Sequence, residues 1–288
     1  MQPLIITAAI VGAEVTRDQT PYLPITPGEI AEEAALCREK GASVIHLHVR
    51  DDRGWPTQDR EYFRRAMDEI RSRTDVIIQV STGGSVGMTP EERLQPVFLG
   101  PEMASLTTGS VNFGDDVFLN HPRDIDLFAR TLKDQGVRPE VEVFDAGMIG
   151  SARRLVKKGL LAEPLHFNFV LGVPGGMPAT AKNLLLLAES IPAGSTWTVS
   201  GIGRHQLSMN ILGMVMGGHV RTGLEDNIFY GRGVLARGSW HLVDRLAGMA
   251  GEMERPVATP GEAREILGIL PPDNLSRQNP ESRRQNPE

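Results

Sequence analysis

The sequence is short of cysteine, of lysine and of long apolar runs, and each shortage closes a chemical route. Cys37 is the sole cysteine among 288 residues, so an intrachain disulfide and a cysteine-ligated zinc site are both excluded. It sits midway through EAALCREK, a helical pattern in which it is expected to pack rather than to serve as the nucleophile of a thiolase-like enzyme. The basic residues are 25 Arg against 5 Lys (Lys40, Lys133, Lys157, Lys158 and Lys182). None of these lysines falls in an apolar β-rich run, so a Schiff-base aldolase, which needs an amine at a strand end, is excluded. A G-x-S-x-G elbow is missing as well. Carbon–carbon or acyl chemistry here would fall to a Lewis-acid metal and carboxylate bases.

A formal net charge of −6 provides no basic footprint for nucleic acid. No apolar run approaches the ~20 residues that span a bilayer. The opening MQPLIITAAIVGAE has no basic n-region and reads directly as a strand, so no signal peptide is expected. With 40% hydrophobic and 23% charged residues, the composition is that of a soluble globular enzyme, and a cytoplasmic one is expected.

What the chain does have is alternation. Short apolar β-rich runs occur eight times, at 4–10, 43–49, 75–81, 103–109, 140–146, 165–172, 196–202 and 219–226. Amphipathic stretches lie between them, among them PGEIAEEAALCREKGA, with Thr26 as cap and Pro27 near its first turn. Gly41, Gly136 and Gly159 are expected helix stops. Such alternation implies parallel strands joined by right-handed crossovers. Eight units in about 250 residues predict closure into a (β/α)8 barrel. The alternative is an open doubly wound sheet, but no G-x-G-x-x-G turn follows the first run. Further helices are expected at 236–254 and 260–268, so the barrel domain is expected to cover 1–272. The polar remainder, 273–288 with its repeated QNPE, cannot bury apolar area and is expected to be disordered.

In a strand, residues i and i+2 face the same side. His46 and His48 in VIHLHV therefore point together, ~6–7 Å apart at a rise of about 3.3 Å per residue. They fall near the C-terminal end of the second run, where barrel active sites lie, and imidazole suits zinc and its neighbours. The plainer alternative is a pair of buried neutral histidines bonded within the core, but two polar rings in an inward layer are costly without partners. In a closed barrel the eighth strand lies beside the first, and the first beside the second. The eighth run ends RTGLEDN, with Glu225 and Asp226, and the first leads to Glu14. These acids reach the histidines only if the barrel closes. Otherwise Glu225 and Asp226 are a solvated loop pair or a helix cap. Two histidines and one carboxylate would leave coordination positions open, as a catalytic metal needs.

Two glycine turns, STGG (Ser81, Thr82, Gly83, Gly84) and TTGS (Thr107, Thr108, Gly109, Ser110), end the third and fourth runs. Their amides and hydroxyls could receive a substrate carboxylate, or they are ordinary loop turns. GIGRHQ after the seventh run makes Arg204 a candidate phosphate contact or a surface arginine. Glu142 and Asp145 in EVEVFDAG are acids on a strand, unusual enough to suggest the site; a surface-exposed strand end is the duller possibility for Asp145. His219 reads as a helix C-terminal cap, His166 as the start of the sixth strand, and Trp55, Trp197 and Trp240 as packing residues.

The segments HLHVRDDRG, STGG, SLTTGSVNF, EVFDAG, GVPGGMP and VRTGLEDN resemble, in this order and over nearly the whole chain apart from the tail, the β-keto acid cleavage enzymes. The resemblance implies a zinc-dependent barrel, usually a homotetramer. It implies a reaction in which a β-keto acid and acetyl-CoA give acetoacetate and a new acyl-CoA. By motif, the metal ligands fall on His46, His48 and Glu225, and the catalytic polar set on Asp226, Arg221 and Glu142. Glu14, Ser81, Gly84 and Thr107 match substrate-contacting positions, with Thr82 and Gly83 in the same turn. Five residues separate Arg221 from Asp226, so their pairing requires the strand end to curl. Two other readings of the same residues stand beside this one: a metal-dependent hydrolase of β-keto or amide substrates, and a barrel that binds a metabolite with structural histidines.

Overall fold

A computed structural model describes residues 2–269; the polar stretch 273–288 lies outside the described residues. The eight expected strands are all present: β1 (Ile6–Ala9), β2 (Val44–Leu47), β3 (Ile77–Val80), β4 (Met103–Thr107), β5 (Arg138–Val143), β6 (His166–Leu171), β7 (Thr196–Gly201) and β8 (His219–Thr222). Each pairs in parallel with its neighbours, and β1 pairs with both β2 and β8, so the sheet closes into a (β/α)8 barrel. Closure removes the open-sheet alternative.

Around the barrel lie α1 (Pro27–Glu39), α2 (Arg60–Arg73), α3 (Pro90–Arg93), α4 (Pro122–Asp134), α5 (Gly147–Lys157), α6 (Ala181–Ser190), α7 (Gln206–Val215), α8 (Ser239–Glu252) and α9 (Pro260–Leu267). Helix α1 begins as expected: Pro27 follows the cap, Thr26 accepts from the Glu29 amide, and the Glu29 carboxylate reaches back to the Thr26 amide. Gly41, Gly136 and Gly159 stop their helices with positive φ. The return after β3 is the weakest helix, one turn followed by a 3-10 segment at Gln95–Leu99.

Outward strand residues such as Ile6, Ile45, Ile78 and Val199 form the main core with the helices. Inward residues divide by height. At the N-terminal end Ile5, Val44, Ile77 and Met103 meet Ala263 and Leu267 of α9, which plugs the barrel floor. Higher up, the inward positions are polar and buried: His46, Gln79, Glu140, Glu142, Asn168, Ser200 and Arg221. Burying this many polar groups is costly unless they are bonded to one another or to a ligand, so this half of the barrel is where chemistry is to be sought.

Two expectations need correction. His219 caps no helix. The turn Met216–Gly218 already ends α7, and His219 opens β8 as a buried residue whose Nδ1 accepts the Ile5 N–H at 3.1 Å. Trp55 does not pack, being 68% exposed in the loop after β2. Asp145 takes the duller of its two readings, exposed and accepting from the Gly147 amide.

Candidate active site

His46 ends the inward row of β2, and His48 follows one step beyond the strand. Their ring centroids are 5.3 Å apart. Ala9 of β1 is the register partner of His46, and its carbonyl accepts the Glu225 N–H at 3.2 Å. Barrel closure therefore brings the eighth strand's loop to the second strand's histidines. His46 Nε2 and His48 Nε2 each lie 3.7 Å from Glu225 Oε1. One ligand atom from each of the three residues falls within 4.8 Å of the others.

Three observations show that these residues fit a metal ion. Glu225 Oε2 is buried with no hydrogen-bond partner among the described residues. Burial holds His46 down to about 4 and pushes His48 in the same direction, so both rings are neutral near pH 7 and offer lone pairs. Burial pushes the Glu225 carboxyl up, but Arg221 together with His48 and His46 more than offsets it and holds it at about 2. The third is the partner of His46: its Nδ1 is 2.6 Å from Gln79 Oε1, directly across the β2–β3 pair. A carbonyl oxygen can only accept, so Nδ1 carries the proton and Nε2 is left for the metal.

Arg221 organises the anions. The strand does curl, as the pairing requires: β8 stops at Thr222, Gly223 turns the chain at φ +148, and Asp226 swings back. Arg221 Nε donates to Asp226 Oδ2 at 2.9 Å and Nη2 to Oδ1 at 2.8 Å, while Nη2 also donates to Glu225. Burial raises the Asp226 carboxyl above its usual range against the pull of Arg221. Across the cavity, Glu142 accepts from Thr107 Oγ1 at 2.7 Å and lies 4.0 Å from Arg221 Nη1. Burial pushes Glu142 up to about 7, which poises it to exchange a proton near neutrality.

These groups line a cavity of about 760 Å³ at the C-terminal mouth, together with Ser81, Gly83, Gly84 and the exposed Glu14. The other candidates are placed differently. Thr82 faces away, donating to the Ser105 carbonyl at 2.7 Å. Thr107 reaches the cavity only through Glu142, and Thr108 is bonded to the Met148 carbonyl. A hairpin after β4, Val111–Phe113 with Asp116–Phe118, forms the wall on that side. Arg204 is exposed and lines an adjoining cavity behind Glu225 and Asp226.

Sequence reasoning passed over three supports. Gln79 is one, a lone polar residue in VIIQV on the inward period of its strand. Arg50, buried, donates to the carbonyls of Gly12 at 2.8 Å and Val15 at 2.7 Å and so holds the loop bearing Glu14. Arg93, also buried, donates to the Thr82 carbonyl at 2.6 Å and fixes the STGG turn. An arginine inside HLHVRDD and another closing a one-turn helix look like surface charge until their burial is seen.

A closed parallel barrel with two imidazoles, three carboxylates and a buried arginine around one open cavity defines a (β/α)8-barrel enzyme with a metal-competent mouth. Within that class, residues 3–269 match the family described as beta-keto acid cleavage enzyme, and the chain belongs to it. It is 54% identical over 271 residues to the 3-keto-5-aminohexanoate cleavage enzyme of Fusobacterium nucleatum subsp. nucleatum, covering 93% of this chain and 99% of the relative. A protein of the same name from Acetoanaerobium sticklandii is likewise 54% identical over the same shares of both chains. The 3-oxoadipate:acetyl-CoA acetyltransferase of Cupriavidus necator is 39% identical, over 93% of this chain and 95% of its own. Among solved structures, ObcA superposes with a TM-score of 0.74 at 23% identity, over 86% of this chain and 68% of that one, a likeness of fold alone.

Proposed function

We propose that this chain exchanges acyl groups between a β-keto acid and acetyl-CoA, with zinc held by His46, His48 and Glu225. The overall change is R–CO–CH2–COO⁻ plus acetyl-CoA to acetoacetate plus R–CO–CoA. The observation that carries this reading is the convergence of the three ligating side chains with Asp226, Arg221 and Glu142 in one cavity, in a chain whose relatives are named for this chemistry.

A divalent cation bound there would polarise the 3-keto oxygen and acidify the C2 protons. Asp226 takes a C2 proton; each of its oxygens keeps a lone pair beyond the one Arg221 occupies. Arg221 holds that carboxylate in place and remains charged, since three acids raise its already high pKa further. The C2 carbanion attacks the acetyl thioester carbonyl and expels CoA thiolate, which then adds to the original C3 carbonyl so that R–CO–CoA forms as the C2–C3 bond breaks. Glu142 is the second proton carrier, moving a proton as the original C2–C3 bond breaks and acetoacetate leaves. The substrate carboxylate would be received by the Gly84 amide and by the Ser81 hydroxyl, which accepts from the Gly83 amide at 3.0 Å and keeps its own proton to donate. Glu14, Asp115 and Asp116 make the outer rim acidic, which favours a keto acid whose far end is cationic, such as the 5-amino group in the name of the two relatives at 54% identity. The expected assembly is a homotetramer, which light scattering would check.

The test is a screen of β-keto acids with and without acetyl-CoA, before and after chelation. Turnover that needs both acetyl-CoA and a restored divalent ion supports the reading. Consumption of the keto acid without any CoA ester would favour the hydrolase, and an intact fold that takes up no metal would favour a non-catalytic barrel.

A further inference from the structure

Glu225 and Asp226 form a partition with a cavity on each side. Opposite the catalytic cavity is a second hollow of about 750 Å³, bounded by the β7–α7 turn, by α8 and by the hairpin of Phe229–Gly231 and Val234–Leu235. The partition is tied to the β7 side by the Gly203 N–H, which donates to the Asp226 carbonyl at 2.7 Å. A molecule in this second hollow would therefore end beside the acid that takes the C2 proton.

The lining has a specific chemistry. Leu207, Ile228, Leu242 and Leu246 make it mostly apolar. Beneath that surface, sealed from solvent, is Asn210, whose Nδ2 and Oδ1 both lack a partner among the described residues. A buried amide with donor and acceptor both unmet is rare in a native protein and calls for a complementary group. A secondary amide, with one N–H and one C=O, is that complement. At the open side stand the exposed Arg204 and Arg232. The catalytic cavity presents the opposite charge, with Glu14, Asp115 and Asp116 at its rim. A polyanionic ligand would be repelled there and attracted here.

We infer that the second hollow is the acyl-donor site, holding the amide-bearing pantetheine arm of coenzyme A with the nucleotide phosphates on Arg204 and Arg232, and that the lining shifts on binding to bring the arm's amide to Asn210. An arm that is apolar, amide-bearing and anionic at one end fits each feature of the hollow in turn. The inference rests on the acyl-transfer reading for its choice of ligand, and on the geometry for the place.

The metal-loaded protein would be titrated with CoA by calorimetry, and the KM values for acetyl-CoA and for acetyl-pantetheine, which lacks the nucleotide, would be measured. In the Arg204→Ala/Arg232→Ala double variant CoA binding is expected to weaken about tenfold or more, with no change in the KM for acetyl-pantetheine. In Asn210→Leu both donors should be weakened alike, by about fivefold. Bound metal and the KM for the keto acid should stay at wild-type values in both. Wild-type CoA affinity in both variants would overturn the site. If the wild type fails to bind CoA, this inference and the acyl-transfer reading fall together. If it binds CoA but cleaves no β-keto acid, the acyl-transfer reading alone falls, and the titrations of the variants still decide the site.

Discussion

Gln79 Oε1 accepts from His46 Nδ1 at 2.6 Å, and both side chains are sealed inside the barrel. This one bond decides which nitrogen of His46 faces Glu225. Without it the ring would be free to rotate or to carry its proton on Nε2, where it would block a metal. Gln79→Leu should keep the fold, because the site is a close fit for a side chain of that size. It should lower metal affinity by about 10–100-fold, the usual cost of losing such a partner, as read by competition with a chromophoric chelator. Gln79→Glu, which can still accept from Nδ1, should retain most of the affinity. Equal affinity in the Leu variant and the wild type would mean that Gln79 is merely core.

Arg221 is the counter-charge for the largely buried Glu225, for the buried Asp226 and, more distantly, for the buried Glu142. Breaking a buried ion pair by deleting one partner typically costs about 3–5 kcal/mol, because the remaining charge has no compensation. Arg221→Met should therefore lose about that much stability in denaturant unfolding of the metal-free protein. Arg221→Met/Asp226→Asn should recover part of it, since one of the stranded carboxylates is gone. A single variant as stable as the wild type would show that the acids are neutral or hydrated in the native state.

His219 has a pH signature of its own. Burial, helped by His166 and Arg255, pulls its imidazole from 6.5 down to about 3. In the unfolded chain it takes up a proton as pH falls through 6.5; in the folded chain it stays neutral until about 3. The unfolded state thus binds more protons across that window, and this residue's contribution to stability shrinks as pH falls. His219→Gln, whose amide oxygen can still accept the Ile5 N–H, should be less stable than the wild type at pH 8. Between pH 6.5 and 5 the gap should close by up to about 2 kcal/mol. A gap that stays constant with pH would show that His219 is already protonated or exposed.

The barrel was legible because its evidence is repeated: eight apolar runs, each followed by a helix-compatible stretch, leave few topologies. The His46–His48 pair was legible because strand periodicity alone puts two neighbouring residues on one side. Glu225 lies far along the chain, and only closure, an inference about the whole fold, brought it within reach. Gln79 escaped because its meaning depends on the β2–β3 register, and sequence does not number the pairs across two strands. His219 was misread because the glycines before it end the helix, and a residue just after a helix stop looks like part of it. The hairpin of Val111–Phe113 and Asp116–Phe118 is too short to show a period, although it walls the cavity. What sequence shows well is periodic or adjacent; what it hides is registered, single or conferred by burial.

Gly12 is the last test of the site because it separates crowding from backbone strain. Its φ is +67, and a Cβ built there would lie 2.6 Å from Glu225 Cγ. Gly159, at the end of α5, has the same φ of +67, yet a Cβ there meets none of the described residues within 4 Å. An alanine at either position pays the left-handed penalty of about 1–2 kcal/mol. Only at Gly12 does it also push on the Glu225 carboxylate, the proposed third ligand. Gly12→Ala should therefore lose more thermal stability without metal than Gly159→Ala, and it alone should bind metal weakly, by about tenfold or more if the carboxylate moves enough to lose its place. If Gly12→Ala bound metal as Gly159→Ala does, Glu225 would have room to move without consequence, and its assignment as the third ligand would lose its geometric basis.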